Sequence, residues 1–250
     1  MHPSHHILET WKKFDSFPME TLTKAWYFNQ GTAKKQRDVS LMKEHRIQYG
    51  NTGNCFDLAL WLLDEFKQHG IKAFPIGSNF HSDEAHVAVV ALDENGNRYL
   101  CDLGDQWLQP ILVETNSDDY SEGKLKGFFP AAEIQVQSKD QSQIEILYHR
   151  PNGKVSKQLF DLTPIEWNVF LQGAEYSQNN IYPKPLFECR VPYKNETAHW
   201  EFFHWESFLS TNEGLFKDDQ TDSIEHWVEV IYQRSGYQKK FLYEALSRYS

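Results

Sequence analysis

Three side chains of this 250-residue chain have the types and spacing of a cysteine-nucleophile centre: Cys55, His86 and Asp102. Cys55 follows Gly50-Asn51-Thr52-Gly53-Asn54, a run of turn formers. It heads a stretch in which Phe56, Ala59, Leu60, Leu63 and Phe66 recur near the helical period before Gly70. Asn54 is the expected N-cap. At the first turn of a helix, unpaired N–H groups and the dipole stabilise a thiolate, which favours a reactive cysteine. His86 opens the apolar run His86-Val87-Ala88-Val89-Val90-Ala91-Leu92, and Asp102 interrupts Tyr99-Leu100-Cys101-Asp102-Leu103. A polar group inside each strand of one hairpin costs stability unless the two meet each other or another partner. A carboxylate on one imidazole nitrogen, with the other nitrogen facing a helix-terminal thiol, is the general arrangement of cysteine nucleophiles.

That pairing sets a condition on the turn between the strands. A two-residue Asn95-Gly96 turn makes the numbers of facing residues sum to 191, which puts Val89 opposite Asp102 and His86 on the other face. A three-residue loop or a bulge gives an even sum such as 188 or 190 and brings His86 and Asp102 to one face. The triad therefore requires that the tight turn be absent.

The elements that must position these residues fall into three regions. Helical patterns cover Leu8–Phe14, Met19–Asn29 and Cys55–His69, with a basic stretch at Lys34–Arg37. Strand patterns follow at Lys72–Ile76, His86–Leu92, Arg98–Leu103, Glu133–Gln137, Gln143–His149 and Lys154–Leu162, and Asn116–Lys126 reads as an exposed loop. Turn formers between consecutive strands indicate antiparallel hairpins, hence a meander or small barrel. Thr163-Pro164-Ile165-Glu166 reads as a capping box opening a helix to about Tyr176. Strands at Leu186–Val191 and Ala198–Phe208 and helices at Ser223–Arg234 and Lys239–Arg248 complete the chain. The expected class is α+β, with an N-terminal helical bundle over residues 1–80, an antiparallel β-barrel over 81–185 and a mixed α/β lid over 186–250.

Composition limits what such a protein does. Lys plus Arg total 25 against 35 for Asp plus Glu, a net charge of −10, so there is no broad basic surface for nucleic acid or an anionic membrane. Hydrophobic residues at 40% and aromatics at 15% give enough apolar surface for a folded core. The chain has neither a signal-peptide pattern nor an apolar run of about 20 residues, and its three separated cysteines fit no disulfide framework, so a cytoplasmic location is expected.

The remaining candidates read as ordinary structure. By strand alternation Cys101 points away from the Asp102 face, and Cys189 reads likewise as a small core residue. The loop His81-Ser82-Asp83-Glu84-Ala85-His86 has metal-ligating residue types without a ligand spacing, so no metal site is expected. His2, His5 and His6 read as a mobile exposed terminus. One face of Trp200-Glu201-Phe202-Phe203-His204-Trp205 reads as core. Neither a P-loop nor a Gly-x-Gly-x-x-Gly motif is present.

The stretches Asn51-Thr52-Gly53-Asn54-Cys55-Phe56-Asp57, His86-Val87-Ala88-Val89-Val90 and Tyr99-Leu100-Cys101-Asp102-Leu103-Gly104 resemble the arylamine N-acetyltransferase family. Its pattern is Arg-Gly-Gly-x-Cys-Phe-Glu, then a histidine heading a strand, then an aspartate in Val-Asp-Val-Gly-Phe-Gly. The order of the three regions also follows the family. The resemblance implies a ping-pong transfer in which Cys55 takes an acetyl group from acetyl-CoA and passes it to an arylamine or hydrazine-like small molecule. Cys55 would be the nucleophile, His86 its base and Asp102 the group orienting His86, with no tightly bound cofactor. The chain departs from the pattern where Asn51 and Thr52 replace the arginine and first glycine, which removes the arginine expected to pair with Asp57. Asp105-Gln106 replaces the final Phe-Gly. A transglutaminase-like cysteine hydrolase or peptidase shares the Cys-His-Asp order, and a silent binding protein on the same fold is the third reading. A net charge of −10 offers no general attraction for coenzyme A, so a site for it must be a local exception.

Overall fold

A computed structural model describes residues 1–82, 84–218, 221 and 223–249. The first region holds α1 (His5–Lys12), the short strand β1 (Met19–Glu20), α2 (Leu22–Phe28), α3 (Val39–Tyr49) and α4 (Cys55–Gln68). The middle region carries β2 (Ala73–Ser78), β3 (His86–Leu92), β4 (Arg98–Cys101) and β5 (Ile111–Leu112). These are followed by β6 (Leu125–Phe129), β7 (Ala132–Ser138), β8 (Gln143–His149) and β9 (Val155–Asp161). After α5 (Trp167–Asn179) come β10 (Leu186–Tyr193), β11 (Glu196–Phe203), β12 (Glu206–Thr211) and β13 (Gly214–Lys217), then α6 (Ile224–Ser235) and α7 (Lys239–Leu246). The class is α+β, as expected. Its strands form three antiparallel sheets: β2-β3-β4-β5, β6-β7-β8-β9 and β1-β10-β11-β12-β13.

The helix that carries Cys55 is central. Phe56, Leu58, Leu62 and Phe66 on α4 are almost fully buried, and Ala59, Leu60 and Trp61 nearly so, hence the helix is covered on most sides. Its core is continuous with Ile7, Trp11 and Phe14 of the N-terminal segment and with the inner faces of the two four-stranded sheets. A second core joins Leu22 and Trp26 of α2 to Phe187, Trp200 and Phe202 of the five-stranded sheet and to Trp227, Phe241 and Leu242 of α6 and α7. The N-terminal helices thus divide between two cores, and α4 sits in the one that also holds β3.

Several local expectations are corrected. Met19 and Glu20 do not open a helix but pair with Glu188 and Phe187 on β10, and α2 starts only at Leu22. The helix α3 lies in a stretch before Cys55 to which the sequence pattern assigns no element. It buries just Met42 and His45, so it has no apolar stripe to betray it, and it ends at Gly50 in the left-handed region with φ 78°. The Thr163–Glu166 stretch is not a cap, because its backbone is used elsewhere. Ile165 N–H donates to the Pro75 carbonyl at 3.0 Å, and α5 begins after Glu166. The strand expected across Ala198–Phe208 is broken by a hairpin in which His204 and Trp205 both have positive φ, 52° and 65°, and Phe203 faces Glu206. This is the two-residue turn geometry usually supplied by Asn-Gly, here built from residues that give no turn signal. The first residues pack against the body of the protein rather than trailing from it, while His2, His5 and His6 are exposed as expected. The Met1 ammonium donates to the Asp119 carbonyl, Met1 O accepts from Leu112 N–H, and His2 stacks on Phe128 with ring centroids 5.1 Å apart.

Candidate active site

Cys55 is the first residue of α4. The Asn54 side chain accepts from the N–H groups of Phe56 and Asp57 at 3.1 and 3.2 Å, and the Asp57 carboxylate accepts in return from Asn54 N–H at 3.3 Å. This capping box fixes the start of the helix and leaves the thiol at its positive end. Gly53, with φ 142°, is demanded by the same device, since a β-carbon there would fall 2.0 Å from Asp57 Oδ2.

Asp57 does have an arginine. Arg37, from the basic stretch before α3, brings Nη2 to 3.3 Å from Asp57 Oδ2, with both side chains only 2% exposed, and also donates to the Thr52 carbonyl. Gln36 Nε2 donates to Asp57 Oδ1 at 2.8 Å, and Gln178 Nε2 from α5 donates to Asp57 Oδ2 at 3.1 Å. The ion pair expected to be missing is therefore made from a different place in the chain, and its carboxylate is fully hydrogen-bonded. Against the guanidinium lies the buried His45. Burial, then the Arg37 charge, lowers its pKa to about 4.

His86 and Asp102 lie on one face of the β3–β4 hairpin. Val89 faces Cys101 and Leu92 faces Arg98, so facing numbers sum to 190, the even register the pairing requires. The turn is wider than two residues. Asp93 N–H donates to the Asn97 carbonyl, Gly96 lies at φ 82°, and the Asp93 carboxylate accepts from the N–H groups of Asn95 and Asn97. His86 Nε2 stands 2.7 Å from Asp102 Oδ2. Asp102 is fully buried and its other oxygen accepts from Asp105 N–H at 3.0 Å, so the carboxylate is held at both ends.

Gly104 lies where the three side chains meet. A β-carbon on it would come within 2.9 Å of Cys55 Cβ, 3.2 Å of Asp102 Oδ1 and 3.3 Å of His86 Cε1. The structure therefore brings Cys55, His86 and Asp102 around one point that only a glycine leaves open. Cys55 is half-buried and the His86 side chain is 24% exposed, so both are within reach of solvent. Burial raises the Cys55 thiol pKa, an effect only partly offset by the His86 charge. Burial acts to lower that of His86, but the charges of Asp102 and Asp105 and the Asp102 hydrogen bond override it and hold the imidazolium well above the ordinary histidine range.

Asp105 is the site residue that the sequence reading did not single out. Its Oδ1 lies 3.8 Å from His86 Nδ1. Its signal was present in the sequence, an acid where the family pattern has phenylalanine. His86, Asp102 and Asp105 present ligand atoms within 4.8 Å of one another. The 2.7 Å contact of His86 with Asp102 is nevertheless that of a hydrogen bond, with no room for an ion between those two atoms. In the loop before His86, His81 packs edge-on against Tyr176 with centroids 5.0 Å apart, and Asp83 lies outside the described residues. Cys101 and Cys189 are buried with raised pKa values, about 12 for Cys189, through loss of solvation. Trp200 and Phe202 are fully buried, as strand alternation predicts.

No protein-family model matches the chain, and no curated protein matches it in sequence. Solved structures do match it in shape. The arylamine N-acetyltransferase from Salmonella typhimurium superposes with a TM-score of 0.72 at 12% identity, over 99% of this chain and 92% of that one. The arylamine N-acetyltransferase of Mycobacterium smegmatis gives 0.71 at 14% identity, over 100% and 92%. That of Mycobacterium marinum, solved in complex with CoA, gives 0.71 at 9% identity, over 96% and 91%. Among the described residues no helix is long and apolar enough to cross a membrane. From end to end, the chain has the fold of the arylamine N-acetyltransferases.

Proposed function

We propose that the protein is an acyltransferase that moves an acetyl group from acetyl-CoA to an amine of the arylamine or hydrazine type through a thioester on Cys55. The observation that carries this reading is the convergence of Cys55, His86 and Asp102 over Gly104, on a fold shared with acetyltransferases of which one binds CoA. Each residue's role follows from its surroundings. Asp102 occupies Nε2 of His86, so Nδ1 is the nitrogen left to take the thiol proton. The Cys55 thiolate then adds to the acetyl carbonyl, the C–S bond to coenzyme A breaks, and its sulfur leaves with the proton from His86. In the second half, the amine nitrogen attacks the Cys55 thioester and gives up a proton to His86, and the thiol reforms. The backbone N–H of Cys55, at the open end of α4, suits the carbonyl oxygen as charge develops on it.

Intact-mass measurement after incubation with acetyl-CoA tests the reading. One added acetyl group is expected on the wild-type protein and none on Cys55→Ala. A wild-type protein that stays unmodified, yet hydrolyses amide or ester substrates in a Cys55-dependent way, would instead make it a cysteine hydrolase.

A further inference from the structure

His86 has a second carboxylate at the nitrogen that serves the thiol. Asp102 engages Nε2, whereas Asp105 Oδ1 approaches Nδ1 at 3.8 Å. The backbone of Asp105 is tethered beside the ring, because its N–H donates to Asp102 Oδ1 at 3.0 Å. We propose that Asp105 is a positioning residue that acts through His86, competing with the Cys55 sulfur for the Nδ1 proton and moving thiolate formation to higher pH. The proposal rests on the reading of Cys55 and His86 as nucleophile and base.

The charge count around the ring explains the direction. One imidazolium faces Asp102, Asp105 and the nascent Cys55 thiolate. A carboxylate near Nδ1 favours the imidazolium and repels charge on the sulfur; with the ring already protonated the repulsion is the effect that remains, so it opposes loss of the thiol proton. The surroundings of Asp105 do not cancel it. Glu188 on β10 and His199 and Glu201 on β11 share its cavity of about 370 Å³, as do Arg150 and Lys157 beside and on β9, with Tyr148 on β8. Gln158 hydrogen-bonds to the Asp105 carboxylate. Burial, and then the charges of Asp102 and Glu188 against that of His86, push the Asp105 pKa up to about 6, so it is ionised above that pH and its influence is present there.

The test is the rate of Cys55 alkylation by iodoacetamide as a function of pH in wild type, Asp105→Asn, Asp105→Ala and Asp105→Glu, each checked by thermal melting. The midpoint of the rise is expected to fall by about 1 pH unit in the Asn and Ala variants and to stay near the wild-type value in the Glu variant. A purely structural role would lower the plateau rate without moving the midpoint. An unchanged or raised midpoint in folded Asp105→Asn, or wild-type alkylation without a pH-dependent rise, would overturn the proposal. Alkylation needs no acyl donor. A shifted midpoint in a protein that acetyl-CoA fails to acetylate would therefore uphold the role of Asp105 and remove the transferase.

Discussion

Gly104 lies so close to Cys55 that a β-carbon on the glycine would stand 2.9 Å from the β-carbon of the cysteine. Real β-carbons do not approach this closely, so even alanine forces the cysteine, the histidine or the loop to move. Gly104→Ala is expected to lower acetylation of Cys55 by at least about 10²-fold, the usual effect of displacing a reacting group by an ångström. The cost in stability should be only about 1–3 kcal/mol, that of overpacking. Stopped-flow acetylation and a urea melt separate the two, and an Ala variant acetylated at the wild-type rate would refute the convergence.

Asp102 holds His86 by a 2.7 Å hydrogen bond and has no exposure of its own. Asp102→Asn keeps the shape but removes the charge and presents an amide donor to a ring nitrogen that must itself donate. Acyl transfer is expected to fall about 10³–10⁴-fold with little change in melting temperature, as in other triads of this kind. Steady-state rates beside calorimetry decide it.

The Arg37–Asp57 pair is buried, and breaking such a pair leaves a charge with no counterion. Arg37→Ala is expected to cost about 3–5 kcal/mol in urea unfolding. The double variant Arg37→Ala/Asp57→Asn should recover part of that loss, because the stranded carboxylate is gone. If the single variant unfolds like wild type, the ion pair does not anchor the start of α4.

His45 gives a pH dependence of stability. Its folded pKa of about 4 lies below the ordinary histidine value, so the unfolded chain binds more protons across that interval. Its contribution is complete above the unfolded pKa and is lost as pH falls from about 6.5 toward 4, on the order of 2–3 kcal/mol. His45→Gln should flatten the stability curve over that range. Denaturant midpoints for both proteins between pH 4 and 7 test this, and parallel curves would exclude His45 as the source.

By itself the sequence determined the placement of Cys55, the Asn54 cap, the strand boundaries of β3 and β8 and the candidacy of His86 and Asp102 as partners. Each rests on short-range physics: a helical period with its cap, a turn, and the cost of leaving two polar groups unpaired in one hairpin. It also specified the even register as the condition for that pairing, but Asn95-Gly96 favours the odd one locally. The Asp93 side chain, bonded to the N–H groups of Asn95 and Asn97, shapes the wider turn. The tertiary structure alone decided what depends on packing between distant segments. Arg37 reaches Asp57 across 20 residues, replacing a partner the motif lacks, and α3 buries too few apolar side chains to be periodic. The backbone of the Thr163–Glu166 stretch turns to Pro75, and Asp105 comes to share a nitrogen with the thiol only once Asp102 has taken the other. Charge partners and competing backbone acceptors are set by proximity in space, which spacing along the chain does not encode.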